Sequence, residues 1–194
     1  MNTPLPAPPV GYEVRVPLQE EATNLTAVGP DAFGRGCRLA VGAAEAWLAM
    51  RAAAEEEGVR LLLISGFRSR DRQEEIVRKK IELGLSIKII LRSVAYPGYS
   101  EHHTGKAVDW GSPDCRHLTE AFEKTSEFAW LRLHAHEFGF HLSYPRLNER
   151  DVTYEPWHWK WNESLSNKLP EATTSTRTPA AVAPVMPAFE RASS

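Results

Sequence analysis

Two polar motifs, far apart in the chain, place the strongest constraint on the fold because their side chains suit one shared task. The first runs from Ser100 to Asp109 (SEHHTGKAVD) and the second from Glu155 to His158 (EPWH). Together they supply His102, Asp109 and His158 as candidate ligands. Catalytic zinc commonly takes three such ligands and leaves a fourth position for water. We therefore expect a fold that brings the two motifs together around one metal ion.

The second motif also supplies a candidate general base. Pro156 separates Glu155 from His158 and cannot belong to a regular central strand, so the chain must bend and can direct both side chains into one cavity. An unligated carboxylate beside a metal site can take a proton from water. In the first motif, a glycine lets the chain bend between the two predicted ligands. Glu155 is therefore predicted to be the base and not a fourth ligand.

Three other histidines are weaker metal candidates. His134 and His136 would share one side of a strand, but the surrounding sequence has a helical pattern. In a helix, side chains at positions i and i+2 point about 200° apart and cannot share one ion. His103 neighbours a predicted ligand and is expected to be a bystander. We predict that none of these three binds the metal.

The composition fits one folded domain. Of the 194 residues, 42% are hydrophobic and 25% charged, which is enough for one well-buried core. The formal net charge is -2 and no basic stripe stands out, so nucleic acid is not an expected partner. No apolar run approaches the ~20 residues of a membrane span, and the start lacks an export signal. By sequence this indicates a cytoplasmic location, while the compartment itself stays open. We also expect a monomer, with Cys37 and Cys115 as ordinary thiols.

Helical and strand-like segments are mixed along the chain. The predicted helices are 36–57, 71–83 and 126–137, and the predicted strands are 60–65, 107–110, 139–144 and 157–161. This order indicates an α+β fold with a small antiparallel sheet flanked by helices. Proline-rich composition predicts an extended tail over residues 1–10, and Pro, Ala, Ser and Thr predict a flexible tail over 168–194. The folded domain is then 11–167.

Arg68 adds a cation to the predicted site. It lies in the segment Ser65–Ser69 (SGFRS), just beyond a predicted buried strand. There a guanidinium can form two parallel hydrogen bonds to a carboxylate. A zinc hydrolase that acts at a free peptide C-terminus needs such a group to bind that terminus. The other predicted substrate contacts are Ser100, Gln73, Tyr144 and Trp157.

These motifs resemble those of the VanY-type D-alanyl-D-alanine carboxypeptidases, zinc peptidases that trim bacterial peptidoglycan peptides. The family pattern S-x-H-x-x-G-x-A-x-D fits residues 100–109, E-P-W-H fits residues 155–158, and S-G-[YF]-R-S followed by Q fits residues 65–73. The resemblance runs from about Ser65 to Trp161. One departure is Ser143 before Tyr144 and Pro145, where many relatives have arginine.

The resemblance implies a fold, a cofactor and a substrate. The fold is the small α+β domain shared by D,D-peptidases and the Hedgehog signalling domain, with Zn²⁺ held by the three predicted ligands and Glu155 as the base. Arg68, as a catalytic and substrate-binding residue, and Ser100 would contact the terminal D-alanine or the scissile carbonyl. The substrate would be a peptidoglycan peptide or muropeptide. Family members usually act on the cell wall, a location that contrasts with the missing export signal.

Three functions follow from these features. We expect a D,D-carboxypeptidase, and the alternatives are a zinc endopeptidase of phage-lysin type and a non-catalytic Hedgehog-like zinc-binding module. A purely structural zinc fills its fourth position and needs no free carboxylate, so Glu155 argues for catalysis. Arg68 argues for cleavage at a free C-terminus. D,D- and L,D-dipeptide bonds both stay open, because the shape of the pocket decides between them.

Overall fold

The part of the chain described by the computed structural model, residues 4–150 and 152–166, contains six strands and six α-helices. The strands are β1 (Leu25–Pro30), β2 (Gly36–Ala40), β3 (Leu62–Ser65), β4 (Ala107–Gly111), β5 (Phe140–Leu142) and β6 (His158–Trp161). The helices are α1 (Tyr12–Arg15), α2 (Val41–Glu56), α3 (Arg70–Glu82), α4 (Ile87–Ile90), α5 (Ser126–His134) and α6 (Glu163–Ser166). Single 3₁₀ turns lie at Glu101–Thr104, Glu120–Lys124 and Ala135–Phe138.

Four strands form an antiparallel sheet in the order β3-β4-β6-β5. Strand β4 is central, and all of its residues are buried. Its register places Asp109 opposite His158 on β6 and opposite Ser65 on β3. Strand pairing alone therefore brings together both polar motifs and the strand end that precedes Arg68.

Helix α2 packs a strip of small residues and two large side chains into the core. Its buried residues are Ala43, Ala44, Ala46, Trp47, Met50 and Ala54. The Trp47 ring lies 4.4 Å from the ring of Trp110 on β4, and Trp110 meets Phe140 on β5 edge-on at 5.8 Å. Such aromatic pairs contribute about 0.5–1.5 kcal/mol each beyond the area they bury. This core holds β4, and with it Asp109, in a fixed position.

The predicted helix 36–57 is wrong over its first five residues, because Gly36–Ala40 is strand β2. There Cys37 and Leu39 are buried while Gly36 and Arg38 are exposed, which is the period of two expected for a strand. Strand β2 pairs antiparallel with β1, which the sequence did not predict. The helix begins at Val41.

The other predicted elements are confirmed with shifted ends, and so is the α+β class. The predicted helix 126–137 is α-helical only to His134 and continues as a 3₁₀ turn. Cys37 and Cys115 are free thiols, as predicted. Among the described residues, no helix combines the length and apolar character needed to cross a membrane. The predicted tail 168–194 lies outside the described residues.

Candidate metal centre and active-site cavity

His102, Asp109 and His158 meet in a buried cluster where β4 and β6 pair. All three are at most 4% exposed. His102 Nε2 lies 3.2 Å from Asp109 Oδ2, and His158 Nδ1 lies 2.9 Å from Asp109 Oδ1. One ligand atom from each residue lies within 4.8 Å of the other two. The structure thus brings together the three predicted ligands in an arrangement that could hold one metal ion.

This donor set fits zinc. Two imidazole nitrogens and one carboxylate oxygen are zinc ligand types, and bonds of about 2.0–2.1 Å in a tetrahedron place ligand atoms about 3.3 Å apart. The separations of 3.2 Å from His102 Nε2 to Asp109 Oδ2 and 2.9 Å from His158 Nδ1 to Asp109 Oδ1 are close to that spacing, each to a different oxygen of the carboxylate. The donor types and their mutual distances are therefore compatible with one zinc ion.

The charges in the cluster favour a cation at its centre. Burial alone would lower the pKa of His158, but its hydrogen bonds to Asp109 and Glu101 and their charges outweigh burial and raise the pKa to about 10. Burial alone would raise the pKa of Asp109, but the charges and hydrogen bonds of His102 and His158 hold it well below its ordinary value. The carboxylates that favour a proton on His158 attract a metal cation in the same way.

Both histidine rings are oriented by hydrogen bonds on the side away from Asp109. His102 Nδ1 lies 2.7 Å from the carbonyl oxygen of Gly66, so an Nδ1–H can donate to it and leave Nε2 facing Asp109. His158 Nε2 lies 3.1 Å from Glu101 Oε2, which leaves Nδ1 facing Asp109. Outer partners of this kind fix the tautomer and the angle of a metal-binding imidazole.

Glu155 lies beside the cluster without belonging to it. Its side chain is largely buried, and its Oε2 is 4.0 Å from His158 Nδ1. Its backbone N–H donates to the Tyr144 carbonyl at 3.1 Å, and its own carbonyl accepts from the His158 N–H at 3.1 Å, so a tight turn through Pro156 fixes its direction. Burial raises the pKa of Glu155 to about 7, although the charge of His158 opposes the shift. This is a suitable place and environment for a proton acceptor.

Arg68 reaches the edge of the same cluster. One guanidinium nitrogen, Nη2, donates to Ser65 Oγ at 3.1 Å and lies 3.9 Å from Asp109 Oδ2. The other, Nη1, donates to Gln73 Oε1 at 3.0 Å. Gln73 is 1% exposed, and its Nε2 donates to the Ala95 carbonyl at 2.6 Å. The oxygen and the nitrogen of the Gln73 amide thus both hydrogen-bond within the protein, so Gln73 holds the Arg68 guanidinium in place.

A cavity of about 390 Å³ opens onto these groups. Its wall contains all the residues predicted for the site: Arg68, Gln73, Ser100, His102, Asp109, Tyr144, Glu155, Trp157 and His158. Ser100 is 4% exposed, and the Tyr144 ring lies 4.9 Å from the His158 ring. Further from the cluster, the wall includes Tyr12, Val16, Ile76, Lys80 and Leu91. The cavity wall therefore combines the polar groups of the cluster with apolar side chains.

Two buried residues of the site were not predicted. His103, expected to be a bystander, is fully buried and takes no part in the candidate ligand cluster. Its Nδ1 lies 2.6 Å from the Arg68 carbonyl, and its Nε2 accepts from the Gly98 N–H at 3.1 Å. It therefore connects the Arg68 segment to the turn that precedes the first motif. Glu101, 3% exposed, holds His158, and its position next to His102 was the only sequence signal for it.

The β1–β2 hairpin supports the metal cluster from behind. The Phe67 N–H donates to the Arg38 carbonyl on β2 at 2.9 Å. A Cβ on Gly66 would lie 2.6 Å from Cys37 Sγ and 2.9 Å from the Arg38 carbonyl oxygen. Only a residue without a side chain can therefore sit against β2 and offer its carbonyl to His102.

Substitution of this glycine, Gly66→Ala, is expected to lower the free energy of unfolding by about 1–3 kcal/mol, the usual cost of overpacking. It should also weaken metal binding, because the backbone that holds His102 has to move. Thermal unfolding with and without zinc measures both effects. The matched control is Gly36→Ala on β2, where an added Cβ meets nothing within 4 Å. Equal losses of stability in the two variants would contradict this account of Gly66.

The region of the chain that contains this cluster matches a known protein family. The family model VanY, described as D-alanyl-D-alanine carboxypeptidase, matches residues 36–164. This chain belongs to the VanY family. The match includes the β2 strand, both polar motifs and Arg68, so it covers all nine residues predicted for the site.

One curated relative is the putative carboxypeptidase YodJ of Bacillus subtilis (strain 168). It is 42% identical over 123 residues, which are 61% of this chain and 44% of YodJ. This VanY-family chain therefore spans less than half the length of that relative.

Two solved structures have a similar fold. LdcB, an LD-carboxypeptidase, is 34% identical with a TM-score of 0.67 over 74% of this chain and 70% of its own. The vancomycin-resistance D,D-pentapeptidase VanY of the VanB-type cassette, a mutant in complex with Zn(II), is 25% identical with a TM-score of 0.54 over 79% of this chain and 82% of its own. These likenesses confirm the expected D,D-peptidase-like fold.

Proposed function

We propose that this VanY-family chain is a zinc-dependent carboxypeptidase that removes the terminal D-alanine from peptidoglycan-type peptides. One observation carries the proposal: the Arg68 guanidinium lies 3.9 Å from Asp109 at the edge of the ligand cluster, in the cavity that also contains Glu155. A cation next to a metal centre can hold the free carboxylate of a substrate while the adjacent peptide bond lies near the metal. An enzyme that cuts within a chain has no such need.

His102 Nε2, one Asp109 oxygen and His158 Nδ1 would hold the zinc ion, in keeping with the Zn(II) complex of the VanY neighbour. Zinc in such a site supplies positive charge that polarises a carbonyl and lowers the pKa of water from ~15.7 to ~7. The three protein ligands leave room for one further ligand. The remaining steps depend on the protein's own side chains.

Glu155 is proposed to move the proton. Its carboxylate takes a proton from the attacking water and then delivers it to the amine of the departing D-amino acid, so one group serves as base and acid in turn. The Tyr144 carbonyl fixes the Glu155 backbone, and burial keeps the pKa of the carboxyl near 7, where both protonation states are accessible.

Arg68 is proposed to bind the substrate carboxylate and to stabilise negative charge on the scissile carbonyl oxygen. Its guanidinium is held on two sides by Ser65 and Gln73, and its backbone carbonyl accepts from His103. We assign Gln73 and His103 to positioning Arg68. Such preorganisation reduces the entropy lost when substrate binds.

Ser100, Tyr144 and Trp157 are proposed to complete the substrate pocket, since all three line the cavity close to the cluster. Ser100 can offer a hydroxyl, whereas Tyr144 and Trp157 offer apolar ring surface with a polar edge. One chain supplies every group of the proposed site, so no second copy is needed to complete it. We propose residues 11–167 as the catalytic unit and a monomer as its working form.

Removal of D-alanine from an L,D-bond is the second candidate, because the LD-carboxypeptidase LdcB is 34% identical to this chain. Zinc-loaded protein should be incubated separately with a muropeptide pentapeptide that ends in D-Ala-D-Ala and with a tetrapeptide that ends in an L,D-linked D-alanine. Mass spectrometry then shows which loses one alanine. Loss from the pentapeptide supports the D,D-carboxypeptidase, and loss from the tetrapeptide alone supports the second candidate. Cleavage inside a stem or cross-link would indicate an endopeptidase and contradict both.

The variant Gln73→Met is expected to raise KM about five- to tenfold with little change in kcat. It removes one of the two hydrogen-bond acceptors of Arg68, and an unmade bond of this kind costs about 1 kcal/mol. Steady-state kinetics on the preferred peptide measures the split between KM and kcat. The control is Gln19→Met, a buried glutamine that hydrogen-bonds Pro17 and not Arg68. Values of KM and kcat that both match those of the unchanged protein would contradict the positioning role.

A further inference from the structure

Glu101 is a buried carboxylate that the reaction described above does not use. It lies on the 3₁₀ turn that also carries His102 and is 3% exposed. Its Oε2 is 3.1 Å from Nε2 of His158, on the side of the ring opposite Asp109. A charged group that is buried so completely requires partners that compensate for its lost hydration.

Those partners come from outside the metal cluster. Glu101 Oε1 accepts from Arg150 Nη1 at 2.9 Å and from Lys160 Nζ at 3.4 Å. Lys160 follows His158 by two residues on β6, so both side chains point to the same face of the sheet. The Arg150 and Lys160 side chains are 36% and 23% exposed. Two cations at the protein surface thus keep Glu101 in place against the ring of His158.

The acceptor at Nε2 determines which ring nitrogen of His158 is left for a metal ion. An ionised carboxylate only accepts hydrogen bonds, so the hydrogen between Glu101 and His158 belongs to Nε2. Nδ1 also faces an ionised carboxylate, Asp109 at 2.9 Å, so the two carboxylates together favour a hydrogen on each ring nitrogen. A metal ion in the cluster would replace the hydrogen at Nδ1, and Glu101 would retain the one at Nε2. His102 has the opposite arrangement, because its Nδ1 faces the Gly66 carbonyl and its Nε2 faces Asp109.

We propose that Glu101 is a positioning residue that fixes the tautomer and ring angle of His158 for metal binding, with Arg150 and Lys160 holding the carboxylate in place. Besides Asp109, two carboxylates therefore flank His158, and they have separate tasks. Glu155 lies 4.0 Å from Nδ1, whereas Glu101 is bonded to Nε2 and engaged by protein donors at both oxygens. The inference rests on the proposed function in one respect, which is that His158 is a zinc ligand.

The first test needs no substitution. Proton–nitrogen correlation spectra of the side chains in zinc-loaded, nitrogen-15-labelled protein report which ring nitrogen of each of the seven histidines carries hydrogen. The expected result is a hydrogen on Nε2 of His158 and on Nδ1 of His102. A hydrogen on Nδ1 of His158 would overturn the proposal.

The second test measures zinc affinity. Glu101→Gln retains the size of the side chain but removes the charge, and loss of an outer partner typically weakens metal binding about 10- to 100-fold. Competition with a chelator of known affinity gives the dissociation constant of each variant. The matched control is Glu123→Gln. Like Glu101, Glu123 accepts from an arginine, here Arg146; its other donor is the Tyr154 hydroxyl, and neither belongs to the cluster. That variant should bind zinc as the unchanged protein does.

The two tests separate failure of this inference from failure of the proposed function. If the unchanged protein does not bind zinc, both are overturned. If it binds zinc and Glu101→Gln binds equally well, only the role of Glu101 is overturned. If Glu101→Gln does not fold, as far-ultraviolet circular dichroism would show, the tautomer of His158 in the unchanged protein decides whether Glu101 has the proposed role.

Discussion

Glu155→Gln is expected to lower kcat about 10²- to 10⁴-fold while zinc content stays near one ion per chain. The amide retains the shape of the side chain but cannot take a proton, and the loss matches the usual contribution of general acid–base catalysis. Because Glu155 is not among the candidate ligands, the metal site should remain intact. Turnover of a muropeptide, measured beside zinc content by atomic absorption, tests both statements.

The matched control for this variant is Glu45→Gln, an exposed carboxylate on α2 that does not line the cavity. It should have the turnover of the unchanged protein. If Glu155→Gln lost its zinc, Glu155 would be a ligand and the assignment of three ligands would be wrong. If it turned over normally, another group would be the base.

The second large effect is expected at Arg68. Arg68→Lys should lower kcat/KM about 10²- to 10³-fold, because lysine keeps the charge but cannot form two parallel hydrogen bonds to a carboxylate. Hydrogen bonds to charged groups are worth about 1.5–3 kcal/mol each. Lysine also cannot reproduce the bonds to both Ser65 and Gln73. Steady-state kinetics on the preferred peptide measures the loss.

A peptide with an amidated C-terminus sharpens this prediction. The unchanged protein should strongly prefer the free acid, and Arg68→Lys should lose most of that preference. Arg72→Lys serves as the control, since Arg72 is an exposed residue of α3 that pairs with Glu75 and lies outside the cavity wall. If the unchanged protein cleaved the amide and the free acid equally well, Arg68 would not bind the terminal carboxylate.

The sequence predicted the cluster of three candidate ligands because all three residues lie in short, recognisable motifs. Residue type alone identified the histidines and Asp109 as possible ligands, and Pro156 indicated the bend that directs Glu155. In the structure, the antiparallel register of β4 and β6 places Asp109 opposite His158 and so brings the two motifs together. The ligands predicted from the two motifs are therefore the same residues that the strand pairing brings together.

The parts that the sequence did not predict depend on contacts between distant residues. The β1–β2 hairpin was missed because Gly36–Ala40 joins directly onto the apolar pattern of α2, so a helix explained both. Glu101 gave no signal beyond its position next to His102, because its role depends on Arg150 and Lys160, far along the chain. His103 was set aside for the same reason, since its partners are backbone groups of Arg68 and Gly98 that no motif reveals.

Mass spectrometry of a muropeptide pentapeptide incubated with the zinc-loaded protein tests the central claim most directly, with Glu155→Gln and chelated protein in parallel. The unchanged, zinc-loaded protein is expected to remove a single C-terminal D-alanine, and neither control should do so at a comparable rate. An intact pentapeptide, cleavage at an internal bond, or equal loss of alanine in the presence of chelator would contradict it.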